Sequence, residues 1–205
     1  MSSRPGVVLL LGSALFAAAC DRQATAPEQA TASAPASDEV VAGSAPPAGA
    51  AKAAATGFDR SHVGEAAPTA AFVAPDGKQV TFADFRGKPL LVNLWATWCA
   101  PCIAELPTLD DAAGRLGDRV RVLTIAQDLD EKPDKVTKFL AARGFKRLAP
   151  YRDPAVALST AYAANLPATI LYDARGREVW RRLGGFEWNT PEAMRAIAEA
   201  SQVAG

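Results

Sequence analysis

The sequence predicts an α/β domain: a mixed central β-sheet with helices on both faces and a β-hairpin extending its N-terminal side. Three observations carry that prediction. Residues 89–95, "PLLVNLW", are a near-continuous apolar run of the kind buried on both faces of a sheet. Segments with apolar residues at helical spacing alternate with further strand-like runs, which is a βαβ order. The chain then closes on two adjacent strands and a helix, and that ββα ending makes the sheet mixed rather than parallel.

In order, "AFVAPDGKQVTF" places two short apolar runs around Asp76-Gly77, the signature of a hairpin. After the 89–95 strand, a helix begins at Cys99 and Cys102 and continues to about Leu116, with Pro107 expected to kink it. "RVRVLTIA" (119–126) is the next strand. Asp130 and Pro133, with Val136, Phe139 and Leu140 at helical spacing, mark a capped amphipathic helix ending near Gly144. Residues 146–149 read as a short strand and 154–163 as a helix. "ATILYD" (168–173), a turn at 174–176 and "REVWRRLG" form an antiparallel pair. Thr190 as N-cap and Pro191 at the first helical position open an Ala-rich helix that runs to Val203.

All of this lies within residues 58–205. In residues 21–57, 27 of 37 residues are Ala, Pro, Ser, Thr or Gly, and no aromatic occurs between Phe16 and Phe58. Such a segment buries too little apolar surface to offset its ordering entropy, so it reads as a disordered tether. As a flexible coil its ends would lie about 30 to 35 Å apart.

Residues 1–20 read as an export signal: Arg4, an apolar stretch, then "FAAAC". The apolar run is shorter than the roughly 20 residues of a comfortable bilayer span. Three fates stay open: cleavage to a soluble chain, an uncleaved anchor, or a lipoprotein. "FAAAC" resembles a bacterial lipobox with Ala17 in the place usually held by Leu. In the lipoprotein case Cys20 carries the lipid, and Asp21 resembles the signal that retains lipoproteins on the inner membrane.

Lys plus Arg and Asp plus Glu number 22 each, so no net field draws the protein to nucleic acid. With Cys20 assigned to the leader, the globular part holds one cysteine pair, Cys99 and Cys102. Export places that pair in an oxidising compartment. At C-x-x-C spacing on a helix start, the two sulfurs come within bonding distance, and the unpaired N–H groups and helix dipole favour a thiolate at Cys99. Cys99 is therefore the nucleophile and Cys102 the resolving thiol.

Pro101 stiffens the first turn. Only Ala100 and Pro101 lie between the cysteines, so no nearby cation drives the thiol pKa very low, and the pair leans toward a reductant. A structural zinc needs about four ligands, and the pair plus a distant His62 falls short. An inert disulfide across so short a loop would constrain the unfolded chain little. No cofactor or metal is called for. Two other readings stay open, a copper-binding chaperone using both thiolates and a disulfide oxidase or isomerase.

"LLVNLWATWCAPCIAELPTLD" resembles the active-site strand and helix of the thioredoxin-like family, in its exported TlpA/ResA/DsbE branch. The likeness spans residues 64–186 and includes "RDP" and "NLPATILYDARGREVWR". It implies a thioredoxin-like fold and thiol:disulfide exchange. It also implies that the peptide bond before Pro167 is cis and faces the disulfide, while Leu166 offers its backbone to a substrate chain. Asn165 and Ala168 depart from the Gly and Thr common in the branch.

Glu105 matches an acidic residue that assists proton transfer there. A carboxylate one turn past the resolving cysteine can take its proton; the alternative is a solvated glutamate that complements the helix dipole. Asn93 stands where cytoplasmic thioredoxins carry a buried Asp. An amide cannot titrate, which shifts the base role to Glu105 and leaves Asn93 a hydrogen-bonded structural residue. Trp95 reads as core and Trp98 as an exposed rim that anchors partners. The resemblance implies substrates such as the haem-binding cysteines of apocytochrome c or the cysteines of copper sites. It also implies a membrane electron donor of the DsbD/CcdA type.

Overall fold

A computed structural model describes residues 57–129 and 132–202. Of the expected leader and tether, residues 1–56 lie outside the described residues, as do Asp130 and Val203.

Among the described residues, seven strands form one sheet in the order β2-β1-β5-β4-β3-β6-β7. The centre is β3 (Leu90–Trp95), which pairs in parallel with β4 (Arg121–Ala126) and antiparallel with β6 (Ala168–Tyr172). β7 (Glu178–Leu183) flanks β6, and the hairpin β1 (Phe72–Val73) and β2 (Gln79–Val80) reaches the sheet through β5 (Tyr151–Arg152).

Every residue of β3 is buried, as a strand covered on both faces requires. Its alternate side chains divide between two apolar clusters. Leu91 and Trp95 face the cluster that holds Leu106 and Leu109 of α1 (Ala100–Leu116), Val136 and Leu140 of α2 (Lys135–Ala142), and Ala196 and Ile197 of α4 (Pro191–Gln202). Leu90, Val92 and Leu94 face the other, with Phe72, Phe82 and Leu158 of α3 (Ala157–Tyr162). Fully burying one such side chain contributes about 1.5 to 3 kcal/mol. Asn93 is the exception. By alternation it shares the α1 face with Leu91 and Trp95, a polar group inside an apolar layer.

Three expected elements differ. The strand expected at 146–149 is instead loop, and the strand is Tyr151–Arg152, held by pairing with Ile125 and Ala126 of β4 and with Val73 of β1. There Asp110 accepts hydrogen bonds from the backbone N–H groups of Lys146 and Arg147, which fixes the loop instead of a ladder. The second helix starts later than expected, with Asp134 preceding Lys135, and it gains no side-chain cap. The third starts at Ala157, because Asp153 accepts from the Ala157 and Leu158 N–H groups and sets the first turn there. α1 runs unbroken through Pro107. Thr190 caps α4 as expected, accepting from the Ala193 N–H at 3.2 Å.

Candidate active site

The parallel strands β3 and β4 both point their C-terminal ends at the start of α1. After Trp95 the chain crosses three residues and enters the helix at Cys99, its N-cap, with Pro101 in the first turn. The first helical hydrogen bond runs from the Ile103 N–H to the Cys99 carbonyl at 3.0 Å. Cys99 and Cys102 form a disulfide with α-carbons 5.3 Å apart. Cys99 is the less buried of the two, at 6% exposed, while Cys102 is fully buried. That asymmetry suits an attacking first cysteine and a protected second one.

Trp98 beside Cys99 is 68% exposed, whereas Trp95 is wholly buried against Phe139. The loop between them is held from β4. Asp128, just past the end of that strand, accepts from the Thr97 N–H at 3.0 Å and from the Thr97 hydroxyl, and it also pairs with Lys135. Sequence reading passed over Asp128. Its place after a parallel strand's C-terminus, where α/β sheets gather functional groups, was the available signal.

The Leu166-Pro167 peptide bond is cis, as the resemblance implied. Pro167 is buried and its carbonyl accepts from the Gly184 N–H at 2.9 Å; Leu166 is half-buried against both apolar clusters. His62 lies at the domain surface, 3.0 Å from Glu65.

Glu105 is not the solvated helix residue of the alternative reading. It is 3% exposed, on the buried face of α1 one turn past Cys102. Asn93 Nδ2 donates to Oε1 at 2.8 Å and to Thr169 Oγ1 at 2.9 Å. Asn93 and Thr169 meet because they are register partners between β3 and β6. Oε2 accepts from the Phe186 N–H at 3.0 Å and the Trp188 indole N–H at 3.2 Å. Burial pushes the Glu105 carboxyl above its ordinary value. The Asn93, Phe186 and Trp188 donors and the charge of Arg182 oppose the shift without cancelling it.

Glu105 also lines an open cleft of about 570 Å³, with Pro101, Ala104, Gly185, Phe186 and Glu187 among others. The sequence singled out Asn93 and Glu105 separately, but Phe186, Trp188 and Thr169 went unnoticed. They come from β6 and from the loop after β7, and nothing local in "GGFEWNT" announces a carboxylate partner.

The Redoxin family profile matches residues 62–198. A thiol-disulfide oxidoreductase ResA of Bacillus thuringiensis is 28% identical over 126 residues, covering 62% of this chain and 72% of the relative. A thioredoxin of Rhodospirillum rubrum is 36% identical over 102 residues, covering 47% of this chain and 93% of the relative. Among solved structures, the exposed lipoprotein thioredoxin of Streptococcus pneumoniae is 25% identical with a TM-score of 0.54, covering 63% of this chain and 98% of that one. The domain has the thioredoxin-like fold.

Proposed function

The chain belongs to the Redoxin family and is a thiol:disulfide oxidoreductase, and on that premise we propose that it reduces protein disulfides on the outer face of a bacterial inner membrane. The Cys99 thiolate attacks a substrate disulfide, whose S–S bond breaks as one substrate thiolate leaves and is protonated. Cys102 then gives its proton to Glu105, and its thiolate attacks the Cys99 sulfur of the mixed disulfide, releasing the second substrate thiol. Two electrons pass to the substrate, and Cys99–Cys102 is left as the disulfide seen here. Leu166 and Pro167 offer the backbone edge for the substrate chain, and Trp98 supplies an exposed anchor beside the reacting sulfur.

The direction rests on the setting of the pair. Cys99 caps α1 with only Ala100 and Pro101 before Cys102, so the helix terminus favours a thiolate without the added cation a strong oxidant would use. The reduction potential tests it. A value at or below about −270 mV supports a reductase, and one near about −120 mV would sink the reading.

In an oxidising compartment the dithiol is regenerated by a membrane electron donor of the DsbD/CcdA type. The substrates are haem-binding cysteines of apocytochrome c or cysteines of copper-site proteins. Lipidation at Cys20 tethers the domain to the membrane, a reading supported by "FAAAC" and by the likeness to a lipoprotein thioredoxin. Mass spectrometry of the mature N-terminus decides it, since an unmodified Cys20 or an intact leader rules the lipid out.

A further inference from the structure

Glu105 has four hydrogen-bonding directions and three hydrogen bonds, and their distribution between its two oxygens is uneven. Both donors on Oε2 are N–H groups, the Phe186 backbone at 3.0 Å and the Trp188 indole at 3.2 Å. Neither can accept, so a proton on Oε2 would displace one of them. Oε1 carries a single donor, Asn93 Nδ2 at 2.8 Å, and so keeps one lone pair free.

Trp188 has little freedom to withdraw. It is wholly buried, stacks on Trp180 at 6.3 Å with ring planes 8° apart, and meets Phe186 edge-on at 5.1 Å. Its own backbone N–H is held by Thr108 Oγ1 at 3.1 Å, one turn along α1 from Glu105. The loop after β7 is thereby fastened to α1 beside the carboxylate at both the main chain and the indole.

We propose that Trp188 is a positioning residue for thiol exchange: its indole N–H, together with the Phe186 backbone N–H, commits Oε2 of Glu105 and leaves Oε1 as the oxygen that takes the Cys102 proton. This rests on the reading of Glu105 as the base. An N–H donor stabilises only the ionised carboxylate, so Trp188 also lowers the affinity of Glu105 for that proton and lets it pass on to the cleft. Other charged groups face the same carboxyl. Arg182 on β7 acts in the same direction as Trp188, and Glu187 in the loop and Glu192 on α4 line the cleft with it.

The test is the pH profile of mixed-disulfide resolution in wild type, Trp188→Phe and Glu105→Gln. Trp188→Phe keeps an aromatic ring in the stack and removes the donor. Its acid limb is expected to move up by about one pH unit, the shift that loss of one charge-assisted hydrogen bond brings. Glu105→Gln is expected to abolish the limb. A limb that changes in Glu105→Gln but not in Trp188→Phe overturns the assignment of Trp188 and spares the base. A limb unchanged in both overturns the two readings together.

An NMR titration of the oxidised wild-type protein is the second measurement, and it does not depend on the variants folding. The Trp188 indole N–H resonance is expected to move with the Glu105 carboxyl. A flat indole resonance across the Glu105 titration overturns the proposal.

Discussion

Glu105 and Glu178 are both carboxylates sealed inside this domain, at 3% and 2% exposure, yet they are held in opposite ways. Glu178, on β7, meets the guanidinium of Arg181 in a two-pronged pair, both distances 2.7 Å, with Tyr162 beneath the same guanidinium. Glu105 meets only neutral donors, an amide, a backbone N–H and an indole, with Arg182 acting at a distance. A charge matched by a fixed opposite charge forms a structural pair whose breaking is costly to the fold. A charge held by neutral dipoles sits closer to its neutral form, and that is the condition a proton carrier needs. Location separates them too: Glu105 borders an open cleft beside the disulfide, and Glu178 belongs to the edge where β7 meets the N-terminal segment at Asp59.

The largest effect comes from breaking the structural pair. Arg181→Met leaves Glu178 buried without its cation and is expected to cost about 3 to 5 kcal/mol in urea unfolding, while thiol exchange by the folded fraction is unchanged. Glu105→Gln should do the reverse. Resolution of the mixed disulfide falls by about 10²-fold, and unfolding free energy changes by less than about 1 kcal/mol, because an uncharged side chain of the same shape keeps most of the contacts. Stopped-flow exchange and urea titration on both variants would show the contrast. Equal losses of stability in the two would collapse it.

The comparison also has a pH signature. Burial raises the folded-state pKa of Glu105 above its ordinary 4.5, so the folded protein holds this proton more tightly than the unfolded chain. The resulting stabilisation is complete below the unfolded value and is lost as pH rises through the folded one. Glu105→Gln removes that dependence. The variant should gain on wild type in unfolding free energy as pH climbs from about 4.5 through the raised value, and then stay level. A difference that is flat over this range would mean the carboxyl is ordinary.

How much of this was legible in the sequence follows from where each interaction comes from. The β3 run, the helix start at Cys99 and the Thr190-Pro191 cap depend on neighbours within a few positions, and each formed where expected. β5 is two residues whose strand character comes entirely from β4 and β1, so apolar pattern pointed a few residues too early. The sequence named Asn93 and Glu105, but the hydrogen-bond partners on which the proposed base role rests come from 81 and 83 positions away, from Phe186 and Trp188. Nothing in "REVWRRLG" hints that Arg181 would close on Glu178.

The smallest expected effect sharpens the account of Arg181. A second carboxylate, Glu65, lies 3.8 Å from the same guanidinium, so two acids compete for the credit of neutralising it. Exposure decides between them. Glu65 is 59% exposed at its side chain and Glu178 only 2%, so water screens the first interaction and leaves the second at full strength. Glu65→Gln should therefore shift unfolding free energy by less than about 1 kcal/mol, with even that difference fading in high salt. A loss as large as that of Arg181→Met would mean that Glu178 is held by a three-charge network extending to the surface. The contrast with Glu105 would then rest on how many charges converge on a site rather than on whether any does.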